Sequence, residues 1–287
     1  MKQFFKDSFI YTISYVASRA VSLFLLPLYT RALSPEDYGV LELFSMFSTA
    51  VCLLLPLEIS QGMARFYAGS SESADRSSYI STAFWFTTLL FAAFIMVGFA
   101  FASPLSALVL GGEMRTANFQ IGVLTIASSA IFSIAQGAVR WKLRSLVYSL
   151  AAFVSLLSAT LSSAVFVLVF KWQVNGVLLG LICGNLLGLA VCLPCLRSDL
   201  IHAFRWQYMK EMLKFSSPLV LMQIGLLSVN YSDRLLIQGF LGLEALGIYG
   251  VAYKFASITQ FVMIGIQTSA APLIMNAYQQ RETPKQI

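Results

Sequence analysis

Long apolar runs separated by short polar clusters organise the whole chain. Runs able to cross roughly 30 Å of hydrocarbon as helices of about 20 residues fall at 9–29, 38–59, 78–101, 117–139, 147–170, 176–196, 215–241 and 246–271. The pattern predicts an all-α membrane protein of about eight transmembrane helices, since helices satisfy their own backbone groups in lipid. The first run contains Arg19 and has no small-residue cleavage site before the next span, so it reads as a retained helix and not a removed signal peptide. One connection differs from the others. Residues 199–214 place Ile201, Phe204, Tyr208 and Met212 along one helical face with Arg205, Lys210 and Lys214 beside it, the pattern of a cytoplasmic helix lying in the membrane interface or, alternatively, of a partner-binding helix. The expected organisation is an N-terminal six-helix lobe at 1–198, this linker at 199–214, and the first two helices of a second, truncated lobe at 215–287.

Composition agrees with that reading. Of 287 residues, 58% are hydrophobic and 11% charged, against about 25% charged in a soluble domain, and the mean hydropathy is +0.76. Orientation follows from the basic residues. With the N-terminus inside, Lys2, Lys6, Arg65, Arg76, Arg140, Lys142, Arg144, Arg197, Arg205, Lys210, Lys214, Arg281 and Lys285 fall on the cytoplasmic side and only Arg31, Arg115 and Lys171 outside, which sets both termini in the cytoplasm. The net charge of +6 is dispersed over short loops on one membrane face, so anionic lipid headgroups are the expected contact and nucleic acid is not. Cys52, Cys183, Cys192 and Cys195 all lie in apolar runs and read as buried, inert thiols. His202 is a lone loop histidine. The loops leave almost no room for a catalytic apparatus, no GxxxxGK[ST] motif is present, and neither an enzyme activity nor a cofactor or metal is expected.

An internal repeat sharpens the picture. Shifting the chain by 208 residues lays Leu33, Glu36, Gly39 and Phe47 on Leu241, Glu244, Gly247 and Phe255, with Val40 on Ile248. Both copies occupy the turn between an outgoing and a returning span. Parallel six-helix repeats are a transporter plan with the substrate site near the membrane midplane between them. On that plan a complete protein has about twelve spans, and the second repeat here stops after two.

The charged residues inside the spans are the candidates for chemistry, because a charge at bilayer depth faces a partner or a watery interior. Arg19 is 16 residues from Pro35, about 24 Å at 1.5 Å per residue, and Thr12, Tyr15 and Ser22 share its stripe. No acid of the second span is level with it: Glu42 is nearer the outside and Glu58 nearer the cytoplasm. The seventh span carries Gln223, Asn230, Arg234 and Gln238 with Asp233 beside them, and the eighth carries Lys254, Ser257, Gln260 and Gln267. Counted from Glu244, Asp233 is 11 residues back and Lys254 is 10 forward. Antiparallel packing would bring them level as a structural pair, leaving Arg234 for an anionic ligand. Glu58, Gln61 and Arg65 follow at helical steps and read as a cavity-lining gate or as a solvated helix end. Ser155, Ser158 and Ser162, and Gly176, Gly180 and Gly184, read as helix-packing seams. Pro27, Pro56, Pro104, Pro194 and Pro218 loosen or end spans.

The run LLPLYTRALSPEDYGVLELF at 25–44, with NYSDRLLIQGFLGLEALGIYGVAYKF at 230–255, resembles the polysaccharide-exporter branch of the multidrug/oligosaccharidyl-lipid/polysaccharide (MOP) exporter superfamily, to which Wzx-type O-antigen flippases belong. The resemblance rests on Pro27, Arg31, Leu33, Glu36, Tyr38 and Gly39 in the first copy and on Asp233, Arg234, Leu241, Gly242, Gly247, Tyr249 and Lys254 in the second. It implies two six-helix lobes opening alternately to the two sides of a bacterial inner membrane. The implied substrate is an undecaprenyl-pyrophosphate-linked oligosaccharide repeat unit bound for O-antigen, capsule or exopolysaccharide. The implied partners are this lipid-linked oligosaccharide, membrane lipids, and polysaccharide polymerase and chain-length machinery. Arg19, Arg234 and Lys254 are then the expected ligands of the pyrophosphate, which needs charged donors to leave water. Tyr15, Glu58, Gln61, Arg65, Asn230, Asp233 and Gln260 are expected to line the cavity or couple transport. An inside-negative potential favours outward movement of negative charge by about 2.3 kcal/mol per charge per 100 mV. Such exporters usually have more spans, so the chain reads as a fragment. The rival readings are a cation or drug antiporter of the same superfamily, where acids should outnumber cations in the spans, and a non-transporting remnant.

Overall fold

The computed structural model describes residues 32–70, 72–110, 116–201 and 204–256. Nine α-helices run through these segments: α1 (Pro35–Leu54), α2 (Ile59–Gly69), α3 (Ser73–Ala100), α4 (Ala102–Leu110), α5 (Thr116–Trp141), α6 (Ser145–Leu168), α7 (Gln173–Leu200), α8 (Trp206–Ser216) and α9 (Leu219–Ala256). Six of them, α1, α3, α5, α6, α7 and α9, are long and apolar enough to cross a membrane. They coincide with the expected spans from 38–59 to 215–241. The run at 9–29 lies outside the described residues, and the run at 246–271 is described only as far as Ala256. The chain is an all-helical, multi-pass membrane protein.

Local chemistry explains the boundaries. Ser34 caps α1 through a reciprocal box: its Oγ accepts from Asp37 N–H at 3.1 Å, while its own N–H donates to Asp37 Oδ2 at 3.0 Å. Pro35 at the first helical position has no N–H to leave unsatisfied. The second span is not one helix to residue 59. It breaks after Leu54, where Pro56 cannot donate to the helical ladder, and Leu57 and Glu58 take left-handed backbone with φ of 50° and 55° before α2 begins.

α5 is the central helix. Phe119, Val123, Ile126, Ala127, Ala130, Ile134, Ala138 and Val139 are buried at three- and four-residue steps, and α5 packs on α7, α3, α4 and α6. The α6–α7 seam runs on glycines: a Cβ on Gly180 would meet Ser163 Oγ at 2.0 Å, and one on Gly184 would meet Ala159 Cβ at 2.6 Å. The expected glycine stripe therefore packs, and extends to Gly188, which meets Phe132 and Ser155. On the facing helix the register is Ser155, Ala159 and Ser163, at four-residue steps; Ser158 and Ser162 are not the residues the glycines meet. Large apolar side chains such as Leu89, Met96, Leu150, Leu161 and Phe240 remain exposed, the surface a lipid-facing helix presents.

The linker helix α8 uses its apolar side on protein. Met209 and Met212 are buried, α8 packs on α2 and α3, and a Cβ on Gly62 would come within 2.7 Å of Met212 O. Ile201 and Phe204, expected on the same face, precede the helix and are exposed. Polar and ring contacts hold the dock. Tyr208 OH donates to Asp75 Oδ1 at 2.5 Å, Tyr79 stacks on Tyr208 at 4.4 Å, and Arg65 lies 4.4 Å from the Phe215 ring. The Asp75 carboxylate raises the Tyr208 phenol above its ordinary value, so it remains a donor at neutral pH.

The two repeat copies pack on each other. Gly242, in a backbone conformation (φ 85°) that favours glycine, breaks α9 at the position the 208-residue shift places on Ser34. A Cβ on Gly39 would meet Leu243 O at 2.1 Å, and one on Gly247 would meet Pro35 O at 1.8 Å. The shift pairs Gly39 with Gly247 and Pro35 with Leu243, so one contact is the image of the other. This reciprocal crossing brings backbones together where any side chain would hold them apart.

Gly247→Ala is expected to lower the melting temperature in detergent by several degrees, corresponding to a loss of about 2 kcal/mol or more. Gly225→Ala in the same helix, where a Cβ meets nothing within 4 Å, is expected to be neutral or slightly stabilising, by up to about 1 kcal/mol. Equal melting temperatures for the two variants would contradict the crossing.

Candidate functional site

Four charges gather just inside the crossing. Glu42 of α1 is 8% exposed and Arg234 of α9 is 5% exposed. Glu42 Oε2 accepts from Arg234 Nε at 3.4 Å, and Glu42 Oε1 lies 3.4 Å from Lys254 Nζ. One carboxylate thus bridges two cations carried on the two arms of α9. Its stem rests against Gly250, where a Cβ would fall 2.4 Å from Glu42 Cγ. Gly250 is the residue that the repeat shift places on Glu42. The acid of one copy is accommodated by the missing side chain of the other.

Arg234 is held on several sides. Its Nη1 donates to Asn230 O at 2.6 Å and lies 3.5 Å from Asp233 Oδ1. Its guanidinium lies 4.2 Å from the Tyr253 ring centre, 5.2 Å from Tyr231 and 5.7 Å from Tyr249. These rings shield and attract the cation together. Asp233 also accepts from the Arg234 backbone N–H at 2.8 Å and, through Oδ2, from Tyr249 OH. Lys254 lies 5.3 Å from the Tyr38 ring, with its side chain 44% exposed.

Two cavities flank the cluster. One of about 350 Å³ lies among α1, α5, α7 and α9, lined by the polar residues Ser45, Ser48, Thr49, Thr125, Ser129, Asn185 and Lys254 and by apolar ones such as Leu41, Phe44, Leu178 and Leu181. No acid is among the described residues that line it. The other, of about 280 Å³, lies between α1 and α9 and is lined by Gln223, Asn230, Tyr231, Arg234 and Tyr253 with Thr49 and Leu53. Thr49 Oγ1 and Tyr231 OH, 3.1 Å apart, join the two copies where the cavities adjoin.

Of the residues expected at a site, Asn230, Asp233, Arg234 and Lys254 come together. Arg19, Tyr15 and Gln260 lie outside the described residues. Gln61 and Arg65 are both exposed one helical step apart on α2, where Arg65 turns to Phe215, while Glu58 stands at the N-cap of the helix in left-handed backbone, is buried and hydrogen-bonds Gln61 through its side chain. None of the three is among the residues lining the two cavities.

The expected Asp233–Lys254 pair is replaced by Glu42–Lys254, for a geometric reason. The turn is at Gly242 and not at Glu244, so Asp233 stands 9 residues before it and Lys254 12 after it. That offset of three residues is about 4.5 Å along the helices. Arg234 shares Glu42 and Asp233 and also lines the cavity between α1 and α9. Sequence reading passed over Glu42 as a site residue, together with the hydroxyl row Ser45, Ser48 and Thr49. The available signal was the repeat itself, which sets an acid opposite a glycine within an apolar span.

The family model described as Polysaccharide biosynthesis protein matches residues 4–277. No curated protein matches the chain. Among solved structures, the chain is similar to a multidrug resistance MATE family transporter of the MOP superfamily in an inward-facing conformation, at 13% identity and a TM-score of 0.67, covering 94% of this chain and 63% of that one. It is also similar to a mutant of the Vibrio cholerae MATE transporter VcmN, at 14% identity and a TM-score of 0.61, covering 95% of this chain and 65% of that one. At these identities the likeness is one of fold. The chain spans about two thirds of the length of either transporter.

Double-mutant cycles on melting stability separate the two pairings. Arg234→Met is expected to cost about 3 kcal/mol by leaving a buried carboxylate short of a partner, and adding Glu42→Gln should recover most of it. Asp233→Ala and Lys254→Ala, linked through Arg234 and Glu42, should couple more weakly than the directly paired Arg234 and Glu42. Strong coupling between Asp233 and Lys254 would restore the pairing read from the sequence.

Proposed function

The chain belongs to the polysaccharide biosynthesis protein family, and on that premise we propose that it serves transport of undecaprenyl-pyrophosphate-linked oligosaccharide repeat units across the bacterial inner membrane by alternating access. The observation that carries this reading is the cavity beside α1: seven polar side chains, one of them the ammonium of Lys254, and no described acid. Hydroxyl and amide groups suit sugar hydroxyls, and an ammonium at the rim suits a phosphate. A cation or drug pocket would need a carboxylate facing the ligand.

In this reading residues 1–198 form one lobe, the helices after 215 begin the other, and the 199–214 linker anchors the second to the first through α8. Both termini are cytoplasmic, as the distribution of lysine and arginine requires. The crossing of Gly39 and Gly247 then closes the outer end, and the headgroup enters from the inner side. Arg19, Arg234 and Lys254 are the proposed pyrophosphate ligands, on the placement of their charges within the apolar runs of the sequence. The membrane potential favours outward transfer of the anion.

Drug or cation export is the second reading. It is favoured by the two acids Glu42 and Asp233 in the cluster and by the fold shared with multidrug transporters.

The test is leaflet transfer in proteoliposomes. Fluorescent undecaprenyl-pyrophosphate-linked glycan placed in one leaflet should reach the other only when the protein is present. Arg19→Ala should abolish that transfer with insertion unchanged. Proteoliposomes that accumulate ethidium and leave the labelled glycolipid in place would decide for drug export.

A further inference from the structure

We propose that Glu42 is a resident counter-ion, occupying in the empty protein the electrostatic place that the phosphate of the ligand takes on binding. The inference rests on the reading that the ligand is anionic, and it adds a residue and an order of events to it. Glu42 is almost fully buried and holds both cations at 3.4 Å, longer than the roughly 2.7–2.9 Å of an optimised charged hydrogen bond. The two cations differ in exposure. Arg234 is enclosed by Asn230 O, Asp233 and three tyrosine rings. Lys254 has a side chain 44% exposed and already lines the cavity beside α1. A phosphate in that cavity meets an ammonium that Glu42 holds from behind.

Charge bookkeeping gives the consequence. Among the described residues Glu42 and Asp233 balance Arg234 and Lys254 in sign, the pairing that burial in a low-dielectric layer favours. An arriving anion competes with Glu42 for Lys254. Because Glu42 belongs to the first repeat copy and Lys254 to the second, the exchange weakens an ionic contact that joins the two copies. Binding and loosening of the crossing are then one event. A ligand without a competing negative charge leaves the contact in place.

Glu42→Gln removes the competitor while retaining the shape of the side chain. With the full chain in nanodiscs, inorganic pyrophosphate binding measured by calorimetry should tighten about tenfold in Glu42→Gln and weaken about tenfold in Lys254→Gln. Glu42→Asp, which draws the carboxylate back from both cations, should fall between wild type and Glu42→Gln and serves if the glutamine variant does not fold. A gain of affinity is the diagnostic result, since structural damage lowers affinity. Unchanged or weaker pyrophosphate binding in a folded Glu42→Gln protein, with wild type binding normally, overturns the counter-ion role alone. Wild type that takes up tetraphenylphosphonium and not pyrophosphate overturns the anionic reading and the counter-ion role with it.

Discussion

A charge held in the apolar layer must find an opposite charge, and this requirement organises the centre of the protein. Removing a carboxylate or a guanidinium from water costs several kcal/mol, returned only when partners and hydrogen bonds are in place. Glu42, Asp233, Arg234 and Lys254 meet that condition as a group. Arg234 takes two acids, a carbonyl and three ring faces, while Glu42 takes two cations. Lys254 is the partly solvated member and contributes less than its distance implies, because water screens it. It is also the member that lines the cavity beside α1.

The cluster exists because two backbones approach closely. In lipid there is no hydrophobic drive to press helices together, so contact depends on close packing and small residues. Gly39 and Gly247 let the repeat copies cross at the turn end, and Gly250 leaves room for Glu42. The glycine row of α7 performs the same service against α6. A symmetric crossing carries an asymmetric charge arrangement: the acid is on one copy, and two cations are on the other.

The linker helix α8 shows the same economy at the opposite end. Its methionines pack into α2 and α3, and Tyr208 and Phe215 meet Asp75 and Arg65. The second copy is therefore tied to the first at two heights, by backbone contact at the turns and by side chains at the linker. In the proposed function, alternate opening would release one tie while keeping the other, and the ionic cluster beside the crossing is the tie proposed to meet the anionic ligand.

Length and apolarity of the runs were enough to determine the spans, their order and the all-helical class, because a membrane leaves the backbone few alternatives. The glycine stripe and the repeat were equally legible, since both are patterns of residue type at fixed spacing. The gathering of Asn230, Asp233, Arg234 and Lys254 could be read from depth along two neighbouring helices. Which acid meets which cation could not. A shift of the turn from Glu244 to Gly242 moves the register by three residues, and the partner of Lys254 comes from α1, remote in sequence. The break after Leu54 likewise set Glu58 ahead of α2 in left-handed backbone, from where its side chain still meets Gln61. Periodicity specifies what a helix presents, whereas the crossing point and the turn position decide what that face meets, and these are set by packing between distant segments.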